Sequence, residues 1–314
     1  MPDYTRDMKS AIITGPTGAI GTALCENLLR RGITVFAVCR PESPRIGALP
    51  KSEHLRIVPC DARNMDTLPD LVPGCADAFF HFAWADTIGP GRNNMPGQIR
   101  NIQYTIDAVN AAKALGCKIF LGAGSQAEYG RTEGPLKPET PCFPENGYGM
   151  AKLCAGQMSR TACEMLGLDH VWVRILSVYG PRDGEATMII STIRKLLAGE
   201  KPSLTPGQQL WDYLYAEDAA EALYLAAVHG RSGAVYPLGS GKALPLREYM
   251  ELLRDAVDPD IPLGIGDIPY GARQVMHLQA DITSLQADTG FVPRTSFAEG
   301  IQKTLWWIKE DKNG

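Results

Sequence analysis

The sequence predicts an α/β fold in which a doubly wound parallel sheet is followed by a smaller C-terminal region. Three observations carry this prediction. Short apolar runs alternate with amphipathic segments through the first half of the 314 residues, as expected of strand-helix-strand units. A glycine-rich turn joins the first apolar run to the first amphipathic segment. From about residue 180 the elements become shorter and richer in Pro and Gly, which predicts a second region of different architecture.

Five apolar runs are predicted to be buried parallel strands, because each is short and is bounded by Gly, Pro or polar residues. They are SAIIT (10–14), ITVFAVC (33–39), LRIVPC (55–60), DAFFHFA (77–83) and CKIFLGA (117–123). Two intervening segments have apolar residues at helical spacing. These residues are Ile20, Leu24 and Leu28 in the first segment, and Ile99, Ile102, Ile106 and Val109 in the second.

The composition argues against several classes of partner. The chain has 31 Lys and Arg against 35 Asp and Glu, a formal net charge of -4, and no basic stripe for phosphate backbones, so no nucleic acid is expected. No apolar run approaches the ~20 residues that cross a bilayer, and the first residues are polar. We therefore expect no membrane association and a cytoplasmic location. The eight cysteines are scattered without a CxxC pair, so no metal site or disulfide is expected.

The stretch IITGPTGAIGTALCENLL, residues 12–29, has the form of a dinucleotide-binding loop. Its first glycine permits a tight turn, its second lets the backbone approach a pyrophosphate, and Gly21 lets the helix pack on the strand. The helix N-terminus also attracts the phosphates. The residues expected to bind the cofactor here are Gly15, Thr17, Gly18, Ala19 and Ile20.

The end of the second predicted strand bears on which dinucleotide binds. NAD enzymes usually place an acid about 20 residues after the loop, whereas this chain has AVCRPESPR at 37–45. Arg40 stands at or beside that position, and a guanidinium there suits a 2′-phosphate; an exposed loop arginine is the alternative. NADP(H) is therefore favoured, with NAD(H) as the alternative. Asp61, followed by Ala62, could bind the adenine amino group or cap the next helix.

Three side chains have the chemistry of a proton-transfer site. Ser125 follows the fifth predicted strand, and Tyr148 and Lys152 stand four residues apart at the start of a predicted helix, which places the last two on one face. A nearby ammonium favours the phenolate, so the phenol can exchange a proton with an alcohol or ketone while Ser125 hydrogen-bonds the same oxygen. We assign catalytic roles to these three residues and expect them at the carboxyl edge of the sheet.

Taken together and in order, the motifs resemble those of the extended short-chain dehydrogenases, the NAD-dependent epimerase/dehydratase family. They are TGxxGxxG (14–21), Ser125 before Tyr129-Gly130, YxxxK (148–152), VYGP (178–181), WDYLYAEDAAEALYLAA (211–227) and PLGSG (237–241). The resemblance implies an enzyme with a Rossmann-type NAD(P)-binding domain and a C-terminal substrate-binding region. The boundaries expected are 1–179 with a returning segment near 212–240 for the first, and 180–211 with 241–314 for the second.

The resemblance also implies further site residues and a partner. Lys152 would hold the nicotinamide ribose, and residues 81–83, including Ala83, would pass beneath the cofactor, although His81 could equally be a core histidine. Asn101 would support the site from the following helix. The residues expected to contact a nucleoside-diphosphate sugar are Trp84, Gln126, Ser177, Trp211 and Arg273, the last with an alternative as a surface arginine. Relatives commonly dimerise, so a homodimer through the helices containing 96–115 and 146–166 is expected.

The residues that follow Ser125 bear on which reaction of this family the protein catalyses. Dehydratases typically have Asp-Glu there, whereas this chain has Gln126 and Ala127, so elimination of water is not expected. Oxidation or reduction at C4 of a nucleotide-linked sugar is expected, with net reduction of a 4-keto sugar favoured and UDP-hexose 4-epimerisation as the alternative. The alternative from another class is a protein that binds NADP only to sense redox state. Such proteins generally lack the tyrosine or the lysine, whereas this chain has both.

Overall fold

The structure is a computed structural model that describes residues 5–311. Its strands are β1 (Ser10–Thr14), β2 (Thr34–Cys39), β3 (Leu55–Pro59), β4 (Ala78–His81), β5 (Ile119–Ser125), β6 (Asp169–Ile175), β7 (Ser177–Tyr179), β8 (Ser203–Leu204), β9 (Leu210–Trp211), β10 (Tyr213–Tyr215), β11 (Ala234–Leu238), β12 (Leu244–Pro245), β13 (Gly264–Ile265) and β14 (His277–Leu278). Its α-helices are α1 (Ala19–Arg30), α2 (Leu68–Leu71), α3 (Met95–Ala114), α4 (Gly147–Leu166), α5 (Met188–Leu197), α6 (Ala216–His229), α7 (Leu246–Val257), α8 (Thr283–Thr289) and α9 (Phe297–Asp311).

A seven-stranded parallel sheet with the order β11-β6-β5-β4-β1-β2-β3 forms the centre of the molecule. All five predicted strands lie in it, within one or two residues of their predicted ends. From β1 the chain adds β2 and β3 on one side, and from β4 it adds β5 and β6 on the other side. Such a switch in strand order between β1 and β4 opens a crevice at the carboxyl ends of the strands. The doubly wound α/β fold predicted from the sequence is therefore confirmed.

The sequence analysis did not identify β6 as a strand. Its sequence DHVWVRI includes a histidine and an arginine that are buried in the structure. Both polar side chains find partners from other elements, because His170 Nε2 lies 2.9 Å from Ser159 Oγ and Arg174 pairs with Glu128. The partners that allow these polar residues to be buried lie elsewhere in the chain, so the pattern of apolar residues within the segment does not predict a buried strand.

Helices cover both faces of the sheet. Leu24 and Leu28 of α1 and Leu223 of α6 contribute to the apolar core on one face, and α3 and α4 pack together on the other. The predicted apolar stripe of α3 is only partly buried: Val109 is buried, whereas Ile99 is 65% exposed. The buried face of α3 is formed largely by small or polar residues, so apolar spacing alone misassigned part of that face.

The chain after residue 180 builds a separate apolar cluster. Helices α5, α7 and α9 pack there around Ile190, Leu253 and Ile301, while β11 returns to the central sheet beside β6. Short two- and three-stranded sheets complete this part of the fold. Within residues 5–311, no helix has both the length and the apolar character needed to span a bilayer.

Candidate active site

The glycine-rich turn between β1 and α1 presents backbone toward the carboxyl edge of the sheet. Gly15 has φ of 69°, and a Cβ there would lie 2.9 Å from the backbone nitrogen of Ala83, so only glycine fits without strain. The space next to the Gly18 Cα is open to 4 Å. Gly18 is also the N-cap of α1 and has no side-chain cap, so the first N–H groups of the helix remain available to an anion. These residues fit a dinucleotide pyrophosphate.

The end of β4 is held beside this turn by Thr14 and His81. Thr14 Oγ1 accepts hydrogen bonds from the backbone N–H groups of Phe82 and Ala83, at 3.1 and 3.2 Å, and lies 3.0 Å from His81 Nδ1. The other ring nitrogen of His81 is 3.3 Å from Thr105 Oγ1. Burial lowers the pKa of His81 to about 3, so the ring is neutral. His81 is thus a core histidine that positions Ala83 through Thr14.

The residues predicted for the adenosine side lie at the ends of β2 and β3 and are more exposed. Arg40 is exposed. The pKa of Asp61 is lowered mainly by its hydrogen bond with the Arg63 side chain, and the charge of Arg40 adds a smaller effect. Asp61 accepts the Arg63 backbone N–H at 2.9 Å and forms an ion pair with the Arg63 guanidinium. It therefore caps the turn that begins at Ala62, which agrees with one of the two roles considered for it.

Ser125 is the last residue of β5 and is buried. Its hydroxyl caps a short 3-10 turn by accepting the Ala127 backbone N–H at 3.2 Å. A Cβ on Gly149 would lie 2.2 Å from the Ala127 carbonyl oxygen, so a glycine is required where α4 meets this turn. That close approach brings the start of α4, which carries Tyr148, against the turn that Ser125 caps. The predicted convergence of strand end and helix start is present in the structure.

Lys152 lies one helical turn after Tyr148 and is almost fully buried. Its ammonium donates a hydrogen bond of 2.6 Å to the Ala123 carbonyl and lies 3.7 Å from the centre of the Trp84 ring. The Tyr148 ring centre is 5.9 Å from the same nitrogen. Burial lowers the pKa of Lys152 to about 7, against the charge of Glu128, which raises it.

Burial also raises the pKa of Tyr148 above its ordinary value. The neighbouring Ser125 hydroxyl and the charge of Arg92 oppose this effect. The sequence analysis expected a phenol pKa lowered by the lysine. Desolvation outweighs the nearby positive charge, and the phenol is protonated at neutral pH.

Arg92 is a site residue that the sequence analysis missed. It lies in the loop before α3, half-buried, with its guanidinium carbon 4.6 Å from the centre of the Tyr148 ring. Asn93 in the same loop accepts the Gly147 backbone N–H at 3.0 Å, which fixes the loop against the start of α4. The stretch GPGRNN contains no recognisable motif, so only the fold reveals this cation.

The residues predicted to contact substrate are placed in three groups. Trp84 packs edge-on against Tyr148, with ring centres 6.1 Å apart, and Asn101 holds the adjacent Ala85 by hydrogen bonds of 3.0 and 3.1 Å. The Trp211 indole donates to Ser177 Oγ at 2.8 Å. Half-buried Gln126 follows Ser125 directly, whereas Arg273 lies in an exposed turn.

A cavity of about 600 Å³ lies apart from the Ser125 site, between α1, the start of α6 and α9. Its walls include Ala19, Arg182, Lys303 and the indoles of Trp306 and Trp307. Of the predicted site residues its lining includes Ala19 alone, whereas Ser125, Tyr148 and Lys152 lie outside it. Across residues 5–311 we find no group of three His, Cys, Asp or Glu able to hold a metal ion.

Comparison with known proteins identifies a family and several relatives. The model of the NAD dependent epimerase/dehydratase family matches residues 11–239. The chain is 24% identical to the dTDP-glucose 4,6-dehydratase of Streptomyces niveus, over 96% of this chain and 93% of that protein. It is 27% identical to the UDP-glucose 4-epimerase of Azospirillum brasilense, over 98% and 94% respectively.

A solved structure shows the same similarity in three dimensions. It is the UDP-N-acetylglucosamine 4-epimerase from Methanobrevibacter ruminantium M1 in complex with UDP-N-acetylmuramic acid, which is 26% identical with a TM-score of 0.86 and covers 98% of this chain and 100% of that one. The family match spans well over half of the chain, so this protein belongs to the NAD dependent epimerase/dehydratase family. The predictions of the family and of an enzyme are confirmed.

Proposed function

We propose that this protein is an NAD(P)-dependent oxidoreductase that acts at C4 of a nucleoside-diphosphate sugar, with net reduction of a 4-keto sugar as its reaction. The observation that carries the proposal is the convergence of Ser125, Tyr148 and Lys152 at the carboxyl edge of the sheet. The nucleotide-sugar substrates in the names of its relatives support the substrate class.

Each of the three residues has a defined role in this reaction. Ser125 and Tyr148 hydrogen-bond the C4 oxygen, and Tyr148 donates the proton that this oxygen takes up. Burial keeps the Tyr148 phenol protonated, the form that reduction of a ketone consumes. Lys152 supplies a positive charge that stabilises negative charge developing nearby. A bound nicotinamide cofactor would supply the hydride, and the open turn at Gly18 is suited to hold its pyrophosphate.

None of the three residues that directly follow Ser125 offers a free carboxylate for elimination of water. Residues 126 and 127 are Gln and Ala, and the next carboxylate, Glu128, is fully buried and accepts hydrogen bonds from Ser125, Trp172 and Arg174. A carboxylate held in this way has no access to substrate. We therefore propose that no 4,6-dehydration occurs, even though relatives include dehydratases.

The cofactor proposed is NADP(H), with Arg40 as the residue that selects it. Arg40 directly follows β2 at an exposed position, where a guanidinium can bind a 2′-phosphate. The alternative is an NAD-dependent 4-epimerase, which the family name and a relative at 27% identity favour. The two reactions differ in whether cofactor is consumed.

An absorbance assay separates these reactions. A reductase supplied with a nucleotide-linked 4-keto hexose and NADPH lowers the absorbance at 340 nm in proportion to the ketone. An epimerase interconverts two hexoses without a net change in absorbance. Formation of a 4-keto-6-deoxy sugar from an ordinary nucleotide hexose would contradict both proposals, and binding of NADP without any turnover would favour a sensor.

We also propose a homodimer that forms through α3 and α4. These adjacent helices carry several exposed apolar side chains that a partner could cover, namely Met95, Ile99, Met150, Met158 and Met165. Sedimentation equilibrium of the wild type and of an Ile99→Glu variant tests this proposal. We expect a dimer that the variant weakens; a wild-type monomer at micromolar concentration would contradict it.

A further inference from the structure

A buried carboxylate lies directly behind Ser125. Glu128 closes the short turn after β5 and is 0% exposed. Its Oε1 accepts the Ser125 backbone N–H at 2.8 Å and the Trp172 indole N–H at 3.0 Å, while Oε2 accepts the Arg174 Nε–H at 2.7 Å. The carboxylate therefore connects the end of β5 with two residues of β6.

The Trp172 indole fixes the distance between Ser125 and the helix that carries Tyr148 and Lys152. The ring lies between β5 and α4, because a Cβ on Gly124 would be 2.3 Å from its nitrogen and a Cβ on Gly156 would be 2.6 Å from Cε2. Glycines on both sides thus make room for one large, fully buried ring. Its N–H is held by Glu128, so the strand, the indole and the helix form one rigid support.

Charged or titratable groups from several elements lie in the region of Ser125, Tyr148 and Lys152. His81 of β4 is neutral because burial lowers its pKa to about 3, and Tyr148 is protonated. Arg92 faces Tyr148 from the loop before α3, and Arg174 of β6 lies behind Glu128. Glu128 and Lys152 bind β5 two residues apart, at the Ser125 backbone N–H and the Ala123 carbonyl oxygen. The carboxylate is therefore a negative charge close to the ammonium, and it raises the pKa of Lys152.

We propose that Glu128 is a positioning residue of this site: its carboxylate fixes the Ser125 main chain against Trp172 and supplies the negative charge that stabilises the Lys152 ammonium. The proposal rests on the proposed function, since positioning matters only if Ser125 and Lys152 take part in proton transfer. Glu128 contacts no substrate and acts through these two residues.

The first test measures Lys152 directly and needs no turnover. Protein labelled with ¹³C at lysine Cε is titrated without ligand, and Lys152→Met identifies the signal. We expect a midpoint near 7 in the wild type and a lower midpoint in Glu128→Gln. If Arg174, left without its carboxylate, prevents folding of that variant, Glu128→Gln with Arg174→Gln is used. The midpoint is again expected to fall, but by less than in the single variant, because a cation is removed together with the carboxylate. An unchanged midpoint would overturn the proposal.

The second test uses the reductase assay across pH. In Glu128→Gln, the decline of kcat at alkaline pH is expected to begin at a lower pH than in the wild type. Above the midpoint, kcat should then be about tenfold lower than in the wild type for each pH unit by which the midpoint has moved. KM should change little. Glu128→Asp keeps the charge and should restore most of the wild-type profile. Trp172→Phe leaves the Glu128 charge in place but removes the indole N–H that Glu128 binds. We therefore expect a lower Tm and an unchanged dependence of kcat on pH.

The two tests distinguish failure of the inference from failure of the proposed function. A wild type that turns over, with a pH profile that Glu128→Gln leaves unchanged, would overturn the role of Glu128 alone. A wild type that reduces or epimerises no nucleotide sugar would contradict the proposed function, and the lysine titration would still decide whether Glu128 supports Lys152.

Discussion

Two ends of the same crevice are built differently. At the β5–α4 end, Lys152 is 3% exposed and Glu128 is fully buried, with each polar atom matched to a partner. At the β2–β3 end, Arg40 is exposed and Asp61 is paired with an exposed arginine. The first end holds its charges in a fixed, dry arrangement, and the second presents them to water.

The comparison is most direct for two arginine–carboxylate pairs of similar length. Arg174 and Glu128 are 2.7 Å apart and buried, while Arg63 and Asp61 are 2.9 Å apart at the surface. Charges interact far more strongly where water is excluded, and solvent and salt screen exposed pairs. We therefore expect substitutions at the buried end to have large effects and those at the exposed end to have small, salt-dependent ones.

The largest effect is expected from Tyr148→Phe. The ring still packs against Trp84, but the group that donates the proton is gone, so kcat should fall about a hundredfold or more. Cofactor affinity, measured by fluorescence titration, should change little. Ser125→Ala is the matched control and should cost less, because Tyr148 still reaches the oxygen. A loss below about tenfold for Tyr148→Phe would contradict its assignment.

The two arginines provide the next test of the comparison. Arg174→Ala leaves the Glu128 carboxylate buried without its ion partner and should lower the free energy of unfolding by roughly 3–5 kcal/mol. Arg63→Ala removes an exposed partner, and we expect no measurable change in the urea midpoint. Equal destabilisation by the two variants would refute the distinction between the two ends.

The pH dependence of reduction follows from Lys152. Its pKa is lowered to about 7, so the ammonium is present below that pH and is lost above it. If the charge assists the reaction, kcat should decline as pH rises through about 7. A rate that stays constant into alkaline solution would show that the charge of Lys152 is not needed.

The smallest effect is expected at the exposed end. Arg40→Asp should replace a preference for NADP(H) by one for NAD(H), with a change in relative affinity of about tenfold or more. Since the site is exposed, the wild-type preference should shrink as salt is added. Isothermal titration of both cofactors measures this effect, and tighter binding of NAD(H) by the wild type would contradict the role of Arg40.

Most of the fold and the central part of the candidate site could be predicted from the sequence, because those features depend on residues close together in the chain. The spacing of Tyr148 and Lys152 and the glycines at 15 and 18 are determined within a few residues, so a motif shows them. Glu128, by contrast, binds Trp172 and Arg174, which lie 44 and 46 residues further along the chain, so no local motif shows this cluster. The two glycines of β5 at 122 and 124 were a visible signal that a large side chain lies against that strand, but they did not identify which one.

The transfer of deuterium from labelled NADPH to sugar tests the central claim most directly. Reduced cofactor carrying deuterium at the transferred position is incubated with the protein and a nucleotide-linked 4-keto hexose, and the product is analysed by NMR. The account predicts a single deuterium at C4, and Tyr148→Phe should abolish its appearance. Deuterium at another carbon, or a product that has lost water without net consumption of cofactor, would contradict the account.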